Sequence, residues 1–133
     1  MGGLDAGAQA VEGPLMPRMI LSKEYEFSAA HALPMVAETH KCRRVHGHNW
    51  IVKISVRGAV QEDGFVCDYG DIDHHAKPII TDLDHRNLND IMPNPTSENM
   101  CLYIWKKLSR LPGLCEVSVA ESARTLCTYR GEV

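Results

Sequence analysis

The chain has 133 residues, 44% hydrophobic and 23% charged, a length and balance that suit one globular domain with its own core and exclude a disordered chain. No apolar run approaches the ~20 residues that a membrane-spanning helix needs. A formal net charge of -3 disfavours a nucleic-acid binder held by phosphate contacts.

Residues 1–17, rich in Gly and Ala and without periodicity, are expected to be a disordered extension, with Met16 or Met19 as alternative starts. They lack the basic and apolar regions of a signal peptide. Residues 18–133 are expected to form a single domain. From Ile20 the pattern has period two: Tyr25, Phe27, Ala29 and His31 share one strand face. In a second strand His46, His48, Trp50, Val52, Ile54 and Val56 face one way and Lys53, Ser55 and Arg57 the other. Glu62-Asp63-Gly64 reads as a turn.

Asp68 can cap a helix whose first turn carries Asp71 and whose apolar stripe is Ile72, Ala76, Ile79, Ile80 and Leu83. Pro78 inside that stripe predicts a kink or break. Thr96 can cap a second helix with the stripe Met100, Cys101, Ile104, Trp105 and Leu108, closed by Pro112-Gly113. Two strands end the chain, one presenting Cys115, Val117, Val119 and Glu121 on a single face and the other spanning 126–130. The order strand, strand, helix, helix, strand, strand, with tight links within each strand pair, predicts an α+β fold. It comprises a four-stranded antiparallel sheet with two helices on one face. Its two open edges call for cover or a partner, so oligomerisation is expected.

The sharpest chemical signal is His46-Gly47-His48. Two histidines at i and i+2 on a strand project to the same side, and imidazoles suit zinc. His31 ends the apolar face of the preceding strand, and a hairpin would bring it beside the pair. Three neutral histidines with an open fourth position describe a catalytic zinc site. Cys42, four residues before His46, is either a fourth ligand that closes the site or a nucleophile or base beside it. Lys41, Arg43 and Arg44 flank it and favour the thiolate, although a solvated loop explains the same charge run. Asp84-His85 is either an acid/base relay or a turn-capping pair. His74 and His75 read as surface residues. Glu121 extends an apolar strand face with a carboxylate, which needs a partner if buried. Cys67, Cys101, Cys115 and Cys127 read as core thiols. With Cys42 they make an odd number without a repeated CxxC framework, which fits reduced thiols in a cytoplasmic protein.

The elements FSAAH, HKCRRVHGH, FVCDYGDI, LDHRNLND, NPTSEN and VAESARTLCTYRGE run in order from Tyr25 to Glu132. Together they resemble the 6-pyruvoyl-tetrahydropterin synthase / 6-carboxy-tetrahydropterin synthase family. The short Cys-x3-HGH spacing from Cys42 to His46 resembles the 6-carboxy branch, which serves queuosine and deazapurine biosynthesis. Ser122 stands where the family usually has Thr. The resemblance implies the tunnelling fold (T-fold), in which trimers close their sheets into a barrel and commonly stack as a homohexamer, with active sites between subunits. It implies zinc on His31, His46 and His48, and Cys42 as the proton-abstracting thiolate. Asp84 and His85 become the acid/base pair, and Glu121 anchors the pterin beside Thr96, Ser97 and Glu98. The implied substrate is the small molecule 7,8-dihydroneopterin triphosphate; neither nucleic acid nor membrane is an expected partner. Since the chain is net acidic, a local cationic cluster must receive the triphosphate, and Lys41, Arg43 and Arg44 are placed for it.

Overall fold

A computed structural model describes residues 16–133. The expectation for the N-terminal extension therefore falls, up to residue 15, outside the described residues. Strands β1 (Arg18–His31), β2 (His46–Ala59), β3 (Arg86–Asn87), β4 (Leu114–Ala120) and β5 (Cys127–Tyr129) form one sheet in the order β3-β1-β2-β4-β5. Helices α1 (Tyr69–Leu83) and α2 (Ser97–Lys107) pack on it. Among the described residues no helix is long and apolar enough to cross a membrane.

The period-two patterns do what strand geometry requires. Phe27, Ala29 and His31 of β1, Trp50, Val52, Ile54 and Val56 of β2, and Val117 and Val119 of β4 are all buried. They meet Ile72, Ala76, Ile79 and Leu83 of α1 and Met100, Cys101 and Ile104 of α2 in one core. Trp50 is fully buried, its indole N–H donating to the Ala29 carbonyl at 3.2 Å. Burying a large apolar side chain of this kind is worth on the order of 2 kcal/mol. The opposite sheet face is polar and laced by cross-strand pairs, Ser22 with Ser55 and Ser118 with Thr128.

Both predicted caps form. Asp68 Oδ1 accepts from Gly70 N at 2.7 Å, and Thr96 Oγ1 accepts from Asn99 N at 3.1 Å. Three features differ from the sequence reading. Helix α1 runs unbroken through Pro78. Proline removes one backbone bond, but Ala76 and Ile79 on either side are buried and hold the helix to the sheet. The β1–β2 link is no tight turn: residues 32–45 form a loop with a 3-10 turn at Lys41–Arg43. The sheet has a fifth member, since Arg86–Asn87 pairs parallel with Ala29 and Ala30 along the edge of β1. Two residues are too few to carry a period, so the pattern left no trace of it.

Helix α1 is tied to β1 by a polar clamp. Asp73 accepts from Lys23 Nζ and from Tyr25 Oη, each at 2.6 Å. These bonds, Lys23's first, hold the Asp73 carboxyl below the usual carboxylate range. A depressed carboxyl stabilises the fold above its unfolded value and ceases to do so as pH falls through its folded value. Asp73→Ala is therefore expected to lower Tm at pH 7. The gap to the parent should narrow below about pH 4, as thermal melts across a pH series would read.

Candidate active site

Antiparallel pairing of β1 with β2 sets His31 directly opposite His46, and Ala29 opposite His48. Because side chains alternate along a strand, His31, His46 and His48 emerge on one face as mutual neighbours. Their ring centroids lie 4.5, 4.9 and 5.0 Å apart, with the planes steeply crossed. One nitrogen from each ring falls within a group whose members are all within 4.8 Å of one another. The floor beneath is the indole of Trp50, 5.0 Å from the His31 ring.

The far side of the rings fixes which nitrogen is free. His31 Nδ1 lies 2.7 Å from the Pro95 carbonyl, and His46 Nδ1 lies 2.8 Å from the Arg44 carbonyl. A carbonyl only accepts, so both Nδ1 atoms carry a proton and Nε2 is the nitrogen left to take up a metal when the ring is neutral. Nε2 of His31 and of His48 are buried without a hydrogen-bond partner. Such orphans are costly, and a metal ion would satisfy them. Burial pushes the His31 imidazole below its ordinary value, only partly offset by the Pro95 carbonyl. Burial likewise lowers His48, against the pull of Glu121. Neutral imidazoles are what a metal needs. These residues fit the group that the site calls for.

Cys42 lies apart from the nitrogen trio but shares a cavity of about 280 Å³ with Lys41, His46 and His48. The loop that carries it is braced: Cys42 N donates to His40 Nδ1 at 3.0 Å, and its carbonyl accepts from Leu33 N at 2.8 Å. Arg43 serves that brace, donating through Nη1 to the Pro34 and Val36 carbonyls. Lys41 and Arg44 flank it as exposed residues.

Glu121 follows the last residue of β4, and its Oε2 lies 3.2 Å from His48 Nε2, outside hydrogen-bond alignment. It is half-buried at the rim of the histidine cluster. Thr96, Ser97 and Glu98 open α2. The Thr96 hydroxyl is engaged in the cap, Ser97 Oγ donates to Glu98 Oε1 at 3.3 Å, and none of the three lines the cavity at Cys42. The Ser122 hydroxyl closes a turn with Thr125, 3.1 Å away.

Asp84 and His85 dock on the other side. Asp84 Oδ1 accepts from Ser28 N at 2.9 Å and its Oδ2 lies 3.0 Å from His85 Nδ1. The Ser28 bond, then the His85 contact, hold the Asp84 carboxyl below its usual range. His85 N donates back to the Ser28 carbonyl at 2.6 Å, and His85 has φ +60°. That left-handed conformation costs a non-glycine residue roughly 1 kcal/mol and is held by the two Ser28 bonds. The imidazole is 82% exposed and borders a cavity of about 580 Å³ with Ala30, Gly47 and Asn49. His48 lines both cavities, but Cys42 and His85 share neither. Among the described residues a Cβ at Gly47 would meet only the Ala29 carbonyl, at 3.8 Å, an ordinary contact.

Sequence reasoning missed the holding roles of the Pro95 and Arg44 carbonyls and of the Ser28 backbone, since a backbone group leaves no mark on the residue type. Of the four thiols expected in the core, only Cys101 is fully buried; Cys67, Cys115 and Cys127 are half-buried. His74 is exposed, as expected, while His75 is half-buried, with its Nδ1 3.0 Å from the Asp71 carbonyl.

A histidine trio at the end of a sheet, His31 buried and His46 and His48 half-buried, with a thiol at its rim, defines a metal-poised α+β protein. The chain belongs to the 6-pyruvoyl tetrahydropterin synthase family, whose model matches residues 20–132. It is 36% identical over 120 residues to a 6-carboxy-5,6,7,8-tetrahydropterin synthase of Synechocystis sp., covering 83% of this chain and 92% of the relative. It is 33% identical over 131 residues to a 6-pyruvoyl tetrahydrobiopterin synthase of Dictyostelium discoideum, covering 86% and 97%. Among solved structures it resembles the Caenorhabditis elegans 6-pyruvoyl tetrahydropterin synthase, at a TM-score of 0.80 and 28% identity, over 90% of this chain and all of the other.

The thiols differ in environment. Burial above all pushes the Cys101 thiol up to about 12, whereas Cys42 lines an open cavity. Thiolates alkylate and thiols do not. Iodoacetamide at pH 8 is expected to modify Cys42 in the native protein and spare Cys101. Peptide mass spectrometry over a time course would read the order, and equal rates would contradict the burial.

Proposed function

We propose that the protein is a zinc-dependent 6-carboxy-5,6,7,8-tetrahydropterin synthase acting in queuosine or deazapurine biosynthesis in the cytoplasm. It converts 7,8-dihydroneopterin triphosphate and water to 6-carboxytetrahydropterin, acetaldehyde and triphosphate. The observation that carries this reading is the histidine trio with its orphaned Nε2 atoms beside Cys42, at the Cys-x3-HGH spacing of the carboxy branch. The Synechocystis relative carries that branch's name.

His31, His46 and His48 hold the metal. Zinc, when bound, supplies a Lewis acid that acidifies the substrate's side-chain hydroxyls. The Cys42 thiolate removes a carbon-bound proton of the side chain, and Lys41 and Arg44 favour that thiolate. Asp84 orients His85, whose ring moves protons to and from the hydroxyl oxygens. Glu121 accepts hydrogen bonds from the N–H edge of the pterin, with Thr96, Ser97 and Glu98 at the same ligand. Lys41 and Arg44, with the free face of Arg43, receive the triphosphate. The balance closes without a redox cofactor: the ring gains the hydride equivalents that the side chain loses. Water supplies one carboxylate oxygen, and the two outer side-chain carbons leave as acetaldehyde.

Copies of the chain complete this site in a homohexamer of two trimers. Two observations support that. Cys42 and His85 open into different cavities, and β1 has a strand partner on its outer edge only at Ala29 and Ala30 among the described residues. An open edge is stabilised by pairing with another chain.

The Dictyostelium relative supports a second reading, in which the reaction stops after triphosphate elimination. Incubating purified protein with 7,8-dihydroneopterin triphosphate separates the two. Acetaldehyde and a 6-carboxypterin are expected, and a 6-pyruvoyl product without acetaldehyde would refute the carboxy reading. Replacing Cys42 with Ala distinguishes base from ligand. Turnover is expected to fall by at least about 100-fold, with one zinc per chain retained by elemental analysis. Loss of the zinc together with the fold would instead make Cys42 a structural ligand.

A further inference from the structure

The segment that follows α1 zips along the strand that bears His31. Asp84 and His85 bond Ser28 in both directions, and Arg86–Asn87 pairs with Ala29 and Ala30. Beyond these the chain turns away in a 3-10 turn at Leu88–Asp90, and a side chain takes over from the backbone. Asn89 Oδ1 accepts from Ala32 N at 2.8 Å, and Asn89 Nδ2 donates to the Ala32 carbonyl at 2.9 Å. The carboxamide thus imitates a strand partner for the residue next to His31. Its own backbone N–H is fixed by the Asn87 side chain, which accepts from it at 3.0 Å. The same Nδ2 reaches the Pro93 carbonyl at 3.5 Å, two residues before the Pro95 carbonyl that holds the His31 ring.

From this double contact we infer that Asn89 is a positioning residue for His31, holding the end of β1 and the 93–95 segment together so that the ring keeps its Nδ1–H on Pro95 and its Nε2 toward the cluster. A planar amide presents a donor and an acceptor side by side, as a strand's backbone does. A carboxylate in its place loses the donor and an alanine loses both. Partners behind a ligand fix its tautomer and orientation, and their removal typically weakens metal binding about 10- to 100-fold. Asn89 acts one step further out, through backbone.

The inference rests on the histidine trio being a metal site, so two readouts keep the two claims apart. The first is the His31 ring Nδ1–H resonance in metal-free protein, by 15N-edited NMR. The second is cobalt(II) affinity, by titration of the d–d absorption bands. In Asn89→Ala the His31 ring proton is expected to shift and exchange faster with water, and cobalt affinity to fall about 10- to 100-fold. Ile104→Val, a core change beneath α2, supplies the effect of lowered stability alone. An unmoved His31 resonance in Asn89→Ala overturns the inference. So does a change that Ile104→Val reproduces at matched Tm. If the parent binds no cobalt while Asn89→Ala still shifts His31, the metal reading fails and the positioning role stands. Should Asn89→Ala not fold, Asn89→Asp, which keeps the acceptor, replaces it. Failure of both to fold refutes the role by making Asn89 a residue of the fold.

Discussion

The site depends on one register, His31 opposite His46 across β1 and β2. Side chains alternate with period two, so slipping either strand by one residue would turn its histidines to the polar face and strand its aromatics in water. The long apolar pairing below the site forbids that slip. Phe27 opposes Trp50, and Tyr25 opposes Val52, each placing its bulk on the core side. The core thereby sets the geometry of the trio: burying Trp50 and Phe27 on one face puts three imidazoles on the same face at the strand end. A histidine trio placed this way needs few devices of its own, because the sheet holds the two strands that carry all three residues together over fourteen paired positions.

The electrostatics follow from the same placement. The strand end is buried enough to keep His31 and His48 neutral, yet open enough at Cys42 for a ligand to enter. Backbone carbonyls hold the proton-bearing nitrogens of His31 and His46, and these dipoles add no charge. Lone pairs converge without a carboxylate among them; the nearest, Glu121, stands at the rim. A carboxylate inside the trio would occupy the position that three imidazoles leave open and add a negative charge there.

How much of this was legible in the sequence divides along physical lines. Alternation is a long signal, and it gave β1, β2 and β4, the common face of the three histidines and the odd position of Glu121. Caps are short but chemically specific, and Asp68 and Thr96 were readable. Pro78 was misread because local chemistry predicts a broken helix and the pattern does not weigh the burial of Ala76 and Ile79. β3 was invisible because its two residues pair through backbone, and the holding groups at Pro95, Arg44 and Ser28 are carbonyls or an amide that leave no mark on composition. Cys67 and Cys127 pack against the core while staying half-buried, and Cys115 is half-buried too; an apolar neighbourhood in sequence says nothing about whether an edge is covered.

The edge is also where the chain's two chemical assets separate. Cys42 rides on the loop after β1, on the face where the imidazoles converge, while Asp84 and His85 are stitched to the strand's outer margin through Ser28. Each is braced independently, one by Arg43 and Leu33, the other by a left-handed turn and a two-residue strand. The two supports leave Cys42 and His85 lining different cavities, with His48 common to both. On the proposed reading, a thiol and an acid/base pair acting on one molecule come from different copies of β1, and the edge that β3 leaves uncovered beyond Ala29 and Ala30 is where a second copy would pair.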